Sequence, residues 1–552
     1  MRKARRGLTP SGNTGVAAGR SVTPEGVRPL RGGIDAAHRR VIFASSLGTV
    51  FEWYDFYLYG TLAVFFSSLF FPPGNDTAAF LASLATFGAG FAVRPLGALV
   101  FGRIGDLVGR KYTFLITIVV MGLSTALVGV LPTYAQIGIW APILLVTLRL
   151  AQGLALGGEY GGAATYVAEH APRGRRGYYT SWIQTTATLG FFLSLAVILA
   201  CRLGFGEAAF KAWGWRVPFL ISVALLAVSV YIRLRLQESP VFAEMKAEGR
   251  LSRAPITESF GQWRNARIVL LALLGATAGQ GVVWYTGQFY ALFFLQNTLK
   301  LDFQTAYLLI AAALVIGTPF FVVFGRLSDR IGRKRIMVAG CLLAALTFIP
   351  IFKGLTQSVN PALAEFQARA AVTVAGSDCR FHIFARPASD CDRARDFLTK
   401  AGVNYERAAP EPGSAVVTTI AGERLEGFEE AAYRAALDAA GYPAGPDPAR
   451  VNLHVTLLLL VVLMLYVTMV YGPIAAYLVE LFPTRIRYSS MSLPYHIGNG
   501  WFGGFLPFLA AALVVLSGNI YYGLWYPIAI AAMSGIVGLT ALRETKDVDI
   551  RS

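Results

Sequence analysis

Long apolar runs recur along this chain of 552 residues, and they constrain its fold more than any other feature does. A helix needs about 20 apolar residues to cross the hydrocarbon core of a bilayer, and residues 113–131 and 528–542, with their flanks, are examples. Charged residues make up 15% of the chain, against about 25% in soluble proteins. Because a charge in hydrocarbon is costly, both observations predict a protein that crosses a lipid bilayer several times.

Twelve membrane helices are predicted, six in each half of an all-α polytopic fold. Each of these apolar runs, with its flanking residues, is long enough for one membrane-spanning helix. In the first half we expect helices at 41–70, 78–101, 113–132, 140–169, 179–201 and 216–235. In the second half we expect them at 267–297, 304–325, 336–353, 453–482, 489–517 and 521–543.

Lys and Arg gather in loops that would all lie on one side of the membrane. The loops after helices two, four, eight and ten are basic, whereas residues 72–77 and 131–138 contain no Lys or Arg. The basic side is the cytoplasmic side by the positive-inside rule, so we expect a bacterial inner-membrane protein with both termini in the cytoplasm. The expected order is tail 1–40, first half 41–235, linker 236–266, second half 267–353 and 453–543, and tail 544–552.

The formal net charge of +17 does not indicate a nucleic-acid partner. The positive charge follows the loops, and no basic face with interleaved aromatic residues is visible. A Gly-rich phosphate loop ending in Lys-Ser or Lys-Thr is also absent from the sequence, so ATP is not expected as an energy source. We therefore predict a secondary transporter, not an enzyme, without nucleotide, cofactor or metal.

A short loop motif occurs twice, each time after the second helix of a half. Gly102, Asp106, Gly109, Arg110 and Lys111 correspond to Gly325, Asp329, Gly332, Arg333 and Lys334, an offset of 223 residues. A weaker pair, Glu169 and Glu480, is 311 residues apart, and the excess of 88 matches a non-membrane stretch at roughly 355–450. The chain thus consists of two similar six-helix halves with one insert, an arrangement that places a substrate cavity between the halves.

Each copy of the motif is expected to act as a conformational latch. Glycines allow tight turns and close approach of helix ends, and the acid can hold the basic residues or lie at the N-terminus of a neighbouring helix. Arg94, Glu169, Glu480 and Arg485 are expected to brace these loops. A plain basic loop would explain one copy, but two copies in equivalent positions favour a latch.

The duplicated loop resembles the signature of the major facilitator superfamily, and other motifs resemble its metabolite:proton symporter family. These motifs lie at 51–57, 94–97, 151–153, 157–160, 213–219, 238–240 and 482–488. The resemblance covers about 40–354 and 453–546. It implies proton symport of a small organic acid or zwitterion of the proline, betaine, α-ketoglutarate, citrate or shikimate type, with H⁺ as the coupling ion.

Ionisable residues inside the membrane are functional candidates, because each must offset a large desolvation cost. Glu52 and Asp55 would lie roughly 16 and 21 Å along helix one at 1.5 Å per residue, on adjacent parts of one face. Two neighbouring carboxyl groups can hold one proton between them, as proton coupling requires. Asp55 is the favoured coupling residue, with Glu52 and Glu159 as further candidates; structural pairing with Arg is the alternative.

Arg149 in helix four resembles the buried basic residue that the superfamily associates with proton coupling, and its planar fork also suits a substrate carboxylate. Arg94 is expected nearer the cytoplasmic loop than the substrate. Aromatic residues with polar tips can receive a quaternary ammonium group. The other substrate or coupling candidates are Tyr57, Trp284, Tyr285, Gln288, His496 and Asn499, for which ordinary packing is the alternative.

Residues 355–450 contain ten Lys or Arg and thirteen Asp or Glu, a charge opposite in sign to the rest and typical of a periplasmic segment. We predict a small α+β insert with strands at 380–385 and 415–421 and helices at 391–401 and 427–440. Cys379 and Cys391 are expected to form a disulfide in the oxidising periplasm, with two free thiols as the alternative.

The insert loosely resembles glutaredoxin, but Ala388 stands where the first Cys of a Cys-x-x-Cys pair would be. Thiol redox catalysis is therefore not expected. A lid, a stabilising element and a docking site for a periplasmic partner all remain open. Two other functions also remain open at this stage, namely a facilitator or exporter of the same superfamily, and a membrane sensor that acts through the insert.

Overall fold

A computed structural model describes residues 36–108, 110–158, 160–234, 255–379, 387–410, 416–483 and 486–550. Within these residues, nine helices are long and apolar enough to cross a membrane. The shorter apolar helices Leu115–Val130 and Trp140–Leu156, together with the N-terminal helix Ala36–Thr61, complete the twelve predicted helices. The predicted all-α polytopic fold is therefore confirmed.

The first half contains helices one to six. Helix one breaks briefly at Leu62, helix two at Val93, and helix four after Leu156. The observed bounds are Ala36–Thr61 and Ala63–Phe70 (one), Asp76–Ala92 and Arg94–Val108 (two), Arg110–Val130 (three), Trp140–Leu156 and Tyr160–His170 (four), Arg176–Phe205 (five) and Val217–Leu234 (six).

The second half contains helices seven to twelve, and two of them include π-helical turns. Wide turns of this kind are common at functional sites. The observed bounds are Trp263–Thr298 (seven), Phe303–Ile331 (eight), Arg333–Val359 (nine), Leu453–Tyr471 and Ile474–Leu481 (ten), Arg487–Ile497, Gly498–Gly504 and Leu506–Ser517 (eleven), and Trp525–Ala541 (twelve). The π turns are Leu273–Thr277, Thr286–Tyr290, Phe294–Thr298 and Gly498–Gly504.

Helix nine is two turns longer than predicted and ends at Val359 instead of residue 353. A lysine such as Lys353 is costly in hydrocarbon. In the structure, Lys353 Nζ lies 6.0 Å from the centroid of the Tyr521 ring. A cation–π contact of this kind, at the end of a long flexible stem, accommodates the charge near the helix end.

The insert between helices nine and ten has a four-stranded sheet and its own apolar core. Its strands are Val372–Ala375 (β1), Glu406–Ala408 (β2), Val417–Ile420 (β3) and Glu423–Glu426 (β4), and its helices are Pro361–Arg369, Asp390–Lys400 and Glu430–Ala439. The sheet order is β2-β1-β3-β4, with β1 parallel to β2 and antiparallel to β3, and β3 antiparallel to β4. Phe366, Leu398, Tyr433 and Leu437 are among the buried core residues.

The predicted strand at 415–421 and both predicted insert helices correspond to observed elements, but β1, β2 and β4 were missed. These strands are only three or four residues long, too short for an alternating pattern to be visible. The predicted strand at 380–385 lies outside the described residues. Cys379 and Cys391 are joined by a disulfide, with Cα atoms 5.0 Å apart.

Removing this bridge should loosen the insert. A disulfide that closes a short loop contributes roughly 3 kcal/mol, chiefly by restricting the unfolded chain. We expect the double substitution Cys379→Ser and Cys391→Ser to accelerate trypsin cleavage within the insert of the purified protein at least about tenfold. Equal cleavage rates, or the absence of a crosslinked Cys379–Cys391 peptide from non-reduced digests, would show that the bridge does not stabilise the insert.

Candidate transport site

Aromatic side chains from both halves meet in the middle of the bundle. The ring of Tyr57 in helix one stacks on Trp284 in helix seven, with centroids 5.3 Å apart, and lies at the same distance from Phe289. Phe91 in helix two meets the Tyr285 ring edge-on at 5.1 Å. All five residues are buried. These ring contacts close the centre of the interface between the halves.

Helices two and four approach each other closely because glycines lie at their contacts. A Cβ atom on Gly153 would fall 1.6 Å from the Gly90 carbonyl oxygen, and one on Gly157 would fall 2.2 Å from the Arg94 carbonyl oxygen. A larger residue would force the helix backbones apart. The close contact brings the side chains of Arg94 and Arg149 to the same aromatic cluster.

Arg149 is fully buried in helix four. Its Nη1 donates hydrogen bonds to the Phe56 carbonyl oxygen at 3.2 Å and to Gln152 Oε1 at 2.6 Å. Gln152 is fixed in turn, because it donates to Thr125 Oγ1 at 2.7 Å. Nε and Nη2 of Arg149 have no hydrogen-bond partner among the described residues. The guanidinium is thus held through one nitrogen, and two others remain available to an acceptor.

The Phe56 ring contacts two guanidinium groups. Its centroid lies 4.4 Å from Cζ of Arg94 and 4.3 Å from Cζ of Arg149, and Arg94 also lies 4.0 Å from the Phe91 centroid. Cation–π contacts offset part of the cost of burying a cation. The expected position of Arg94 beside the loop is therefore corrected, since its side chain lies in the aromatic centre.

A small cavity of about 20 Å³ lies next to Arg94 at the interface of the halves. This volume accommodates about one water molecule. Neither ring nitrogen of His496 hydrogen-bonds to a described residue. The cavity joins an acid, a guanidinium and an imidazole. Of these groups, the carboxyl and the imidazole can take up and release a proton, whereas the guanidinium remains protonated. Its polar lining residues are Thr49, Glu52, Arg94, Gln184, Thr186, Tyr471, Tyr495 and His496.

Asp55 does not line this cavity, although it is three residues from Glu52. Its carboxyl group faces Ser222 in helix six, where the neighbouring Tyr54 also donates to the Pro218 carbonyl oxygen at 2.7 Å. Asp55 is 5% exposed, and its Oδ1 accepts no hydrogen bond from a described residue. The two carboxyl groups therefore have different surroundings, contrary to the expected common site.

The polar residues of helices seven and eleven differ in how many of their side-chain atoms form hydrogen bonds. Asn499 and Gln280 exchange hydrogen bonds of 2.8 and 3.0 Å, which fixes Asn499 within the second half. Gln288 donates only to Met464 Sδ, at 3.7 Å. Its Oε1, like Nε1 of Trp284, has no partner among the described residues. Gln288 and Trp284 are thus better placed to bind a solute than Asn499.

The second copy of the loop motif binds the first half directly. Asp329 accepts hydrogen bonds from the backbone N–H groups of Gly177 and Tyr178 at 2.9 and 2.8 Å. These groups begin helix five, so the carboxylate lies at the positive end of that helix. A Cβ atom on Gly325 would fall 2.5 Å from Ser181 Cβ and 2.7 Å from the Gly177 carbonyl oxygen, which explains the glycine in the motif. We call this end of the bundle the basic end and the opposite end the insert end.

Glu480 is the centre of an ion network that joins both halves at the basic end. It pairs with Arg333 at 3.2 Å and with Arg176 of the first half at 3.5 Å, and it accepts a hydrogen bond from Thr545 Oγ1 at 2.8 Å. Arg333 also pairs with Asp329 at 2.7 Å. Because the network is buried, removal of one member leaves an uncompensated charge, which is strongly destabilising.

Other residues that were predicted to form or brace the latch also make contacts at the basic end. Glu169 in helix four pairs with Arg487 in helix eleven at 2.8 Å. Lys334 Nζ donates to the Leu542 carbonyl oxygen at 2.8 Å. Gly332 has a φ of 110°, a backbone angle that residues other than glycine rarely adopt. Three predicted site residues lie outside the described part of the chain, namely Gly109, Glu159 and Arg485. The same holds for the side chains of Asp106, Arg110 and Lys111, which belong to the loop motif that begins at Gly102.

Sequence reasoning missed three residues that organise these sites. The role of Gln152 could have been predicted, because Gln152 lies three residues after Arg149 and hence on the same helix face. Phe56 was part of a motif, but nothing in the sequence indicated that its ring would contact two cations. Glu544 accepts hydrogen bonds from the backbone N–H groups of Arg333 and Lys334 at 2.8 and 3.2 Å. These contacts join residues some 210 positions apart in the sequence, and no feature of the local sequence indicates them.

Two six-helix halves with buried charges at their interface, and an ion network across one end, are the architecture of a secondary membrane transporter. A sequence profile of the Major Facilitator Superfamily matches residues 45–364, and the chain belongs to that superfamily. It is a transporter related to metabolite permeases and not an enzyme.

Curated relatives include several bacterial permeases. The inner membrane metabolite transport protein YhjE of Escherichia coli K12 is 38% identical over 341 residues, 59% of this chain and 75% of the relative. The alpha-ketoglutarate permease of the same strain is 37% identical over 322 residues, 58% and 72% of the two chains. The proline/betaine transporter of Salmonella typhimurium LT2 is 38% identical over 330 residues, 58% and 65% of the two chains.

Among solved structures, a partially occluded inward-open form of the xylose transporter XylE from E. coli is similar to this chain. Its TM-score is 0.59 at 17% identity, over 92% of this chain and 98% of that one. The similarity supports the twelve-helix fold.

Replacing Asp329 by Ala should open the basic end. The change removes the cap of helix five and one ion pair, and a loss of about 1.4 kcal/mol corresponds to a factor of ten. We expect a Ser181→Cys reporter, which lies against Gly325, to react about tenfold faster with N-ethylmaleimide in this variant.

Asp302 provides a matched control, because it also caps a helix, accepting from Thr305 N at 2.9 Å, but at the other end of helix eight. Asp302→Ala should leave the labelling rate unchanged. Equal rates in Asp329→Ala and the parent would contradict the latch.

Proposed function

We propose that this chain imports a small organic acid or zwitterion by proton symport with alternating access. The observation that carries this proposal is a contrast between two sets of buried charges. Those at the basic end form ion pairs, two of them across the halves, whereas Arg94, Arg149 and Asp55 at the centre keep side-chain atoms without hydrogen-bond partners among the described residues. A buried polar atom without a partner is costly, so a site that retains several is suited to a ligand.

The central cations favour a solute with a carboxylate. Arg149 and Arg94 each have Nε and Nη2 without hydrogen-bond partners among the described residues, and a guanidinium binds a carboxylate through two parallel hydrogen bonds. Tyr57 and Trp284 stack on each other at the interface of the halves, and aromatic rings of this kind can bind a cationic group when their faces are exposed. α-Ketoglutarate, proline and betaine, which name the substrates of relatives, all carry a carboxylate.

Asp55 is the best candidate to carry the proton. It is buried and forms no ion pair with a described residue, and an unpaired carboxylate is costly to bury. A proton removes that charge, and the carboxylate of a solute compensates the guanidinium of Arg149. With both bound, the centre is close to neutral, and the halves can rearrange at a lower electrostatic cost. Glu52 and His496, beside the one-water cavity, would connect the centre to the basic end.

In this proposal the basic end faces the cytoplasm of a bacterial inner-membrane protein, with both termini on that side, and the insert end faces the periplasm. The paired Glu480 network then closes the cytoplasmic side. Entry into the cell requires this network to separate, while contacts at the insert end form. The proton gradient is the energy source, with the proton as the coupling ion and no cofactor.

The substitution Asp55→Asn tests this coupling. In proteoliposomes with an imposed pH gradient, we expect the variant to lose gradient-driven accumulation while exchange of solute across the membrane continues, because Asn cannot release a proton. A panel of betaine, proline, α-ketoglutarate, citrate and shikimate should be assayed first with the parent protein.

Asp302→Asn is the control and should accumulate solute like the parent, since Asp302 lies outside the centre. Full accumulation by both Asp55→Asn and Glu52→Gln would refute the assignment of coupling to helix one. Absence of accumulation of every solute by the parent protein would refute symport of this substrate class.

A further inference from the structure

A second and larger cavity lies at the insert end of the bundle. It measures about 410 Å³, within the range of small-molecule sites. Its walls come from three parts of the chain, namely the first half through helices one and two, the second half through helices seven and eleven, and the insert through Thr399 and Lys400. We call this space the vestibule. It is separate from the central site, because the central residues Arg94, Arg149 and Trp284 are not in its walls.

The insert forms the roof of the vestibule because it contacts both halves. Lys400 pairs with Asp76 at the start of helix two at 3.3 Å, and Asp396 accepts a hydrogen bond from Thr77. On the other side, Arg395 donates to the Leu516 carbonyl oxygen at 3.2 Å. The insert thus completes a site that the two halves alone would leave open.

The two ammonium groups in the walls of the vestibule, those of Lys300 and Lys400, differ in how they are paired. Lys400 is held by Asp396 at 3.0 Å and by Asp76. Lys300 forms no ion pair or hydrogen bond with a described residue, and its backbone has a φ of 58°. A positive φ is uncommon for a residue with a side chain, and the local structure must enforce it. The Lys300 side chain is exposed and lines the vestibule. Desolvation by neighbouring protein atoms, and secondly the charge of Lys400, lower its pKa.

Neutral donors in the same walls also lack partners. Asn297 Nδ2 and Thr399 Oγ1 are buried without a hydrogen-bond partner among the described residues, and both residues line the vestibule. The acid in the walls, Asp76, is already paired with Lys400. An anion with several acceptor atoms would satisfy the amide and the hydroxyl and would relieve the repulsion between the two ammonium groups.

We propose that the vestibule is an entry site for carboxylate solutes, in which Lys300, Asn297 and Thr399 bind the carboxylate before the solute reaches the centre. This inference rests on the proposed function for its place in transport, but binding at the site can be tested without any transport. The insert contributes Thr399 and Lys400, so it acts as part of a binding site rather than only as a stabilising domain.

The test uses a cysteine in the wall. Ser67 lines the vestibule from helix one and is half-buried. In the full chain carrying Cys201→Ser, a Ser67→Cys reporter is reacted with a maleimide in detergent solution, with and without α-ketoglutarate. At about four times its dissociation constant, the anion should slow labelling about fivefold, because occupant and reagent exclude each other. The dimethyl ester of α-ketoglutarate, which lacks the charges, should not protect.

Lys300→Gln in the reporter background should abolish protection. Lys211→Gln is the matched control, because Lys211 lies at the same end of the bundle, outside the vestibule, paired with Glu207 at 3.6 Å; it should leave protection intact. Absence of protection in the parent, protection by the ester, or equal protection in Lys300→Gln would overturn the inference.

The two proposals fail in different ways. Gradient-driven uptake without protection of Ser67→Cys would leave the proposed function standing and remove the entry site. Protection that depends on Lys300, without accumulation of any solute, would leave the binding site standing and remove symport.

Discussion

The arrangement of this bundle depends on how buried charges are compensated. At the basic end, Glu480 lies between Arg333 and Arg176, and Asp329 lies on the first turn of helix five. These contacts join the two halves and neutralise charges that would otherwise be expensive away from water. At the centre, Arg149 is held by a carbonyl oxygen, an amide and aromatic faces instead of a carboxylate among the described residues. The first arrangement fixes a conformation, and the second is suited to a ligand.

The two ends of the bundle are joined by different kinds of contact. At the insert end, within the described residues, Tyr307 donates to the Thr61 carbonyl oxygen at 3.1 Å across the halves, and Lys400 of the insert pairs with Asp76 of the first half at 3.3 Å. Alternating access requires one end to separate while the other closes. A solute and a proton at the centre shift this balance only if they bind the two states with different affinity. The unpaired central groups provide a physical basis for that difference.

Much of this structure follows from sequence patterns, and the reasons for the failures are physical. Apolar runs and basic loops predicted the helices, and the duplicated motif predicted that an acid such as Asp329 would lie at the N-terminus of another helix. The position of Arg94 was not predictable, because it depends on the Gly157 contact between helices two and four and on the rings of Phe56 and Phe91. Glu52 and Asp55 were expected to share one site because they are only three residues apart. Their carboxyl groups have different surroundings because different helices pack against them.

The central claim is that movement of a proton accompanies movement of the solute, and it can be measured without a variant. Proteoliposomes of the parent protein are suspended in a weakly buffered medium, and the external pH is followed when α-ketoglutarate or betaine is added. Symport predicts that the medium becomes more alkaline in proportion to the solute taken up, and that a protonophore abolishes the signal. Uptake at the same rate with no change in external pH would contradict the claim.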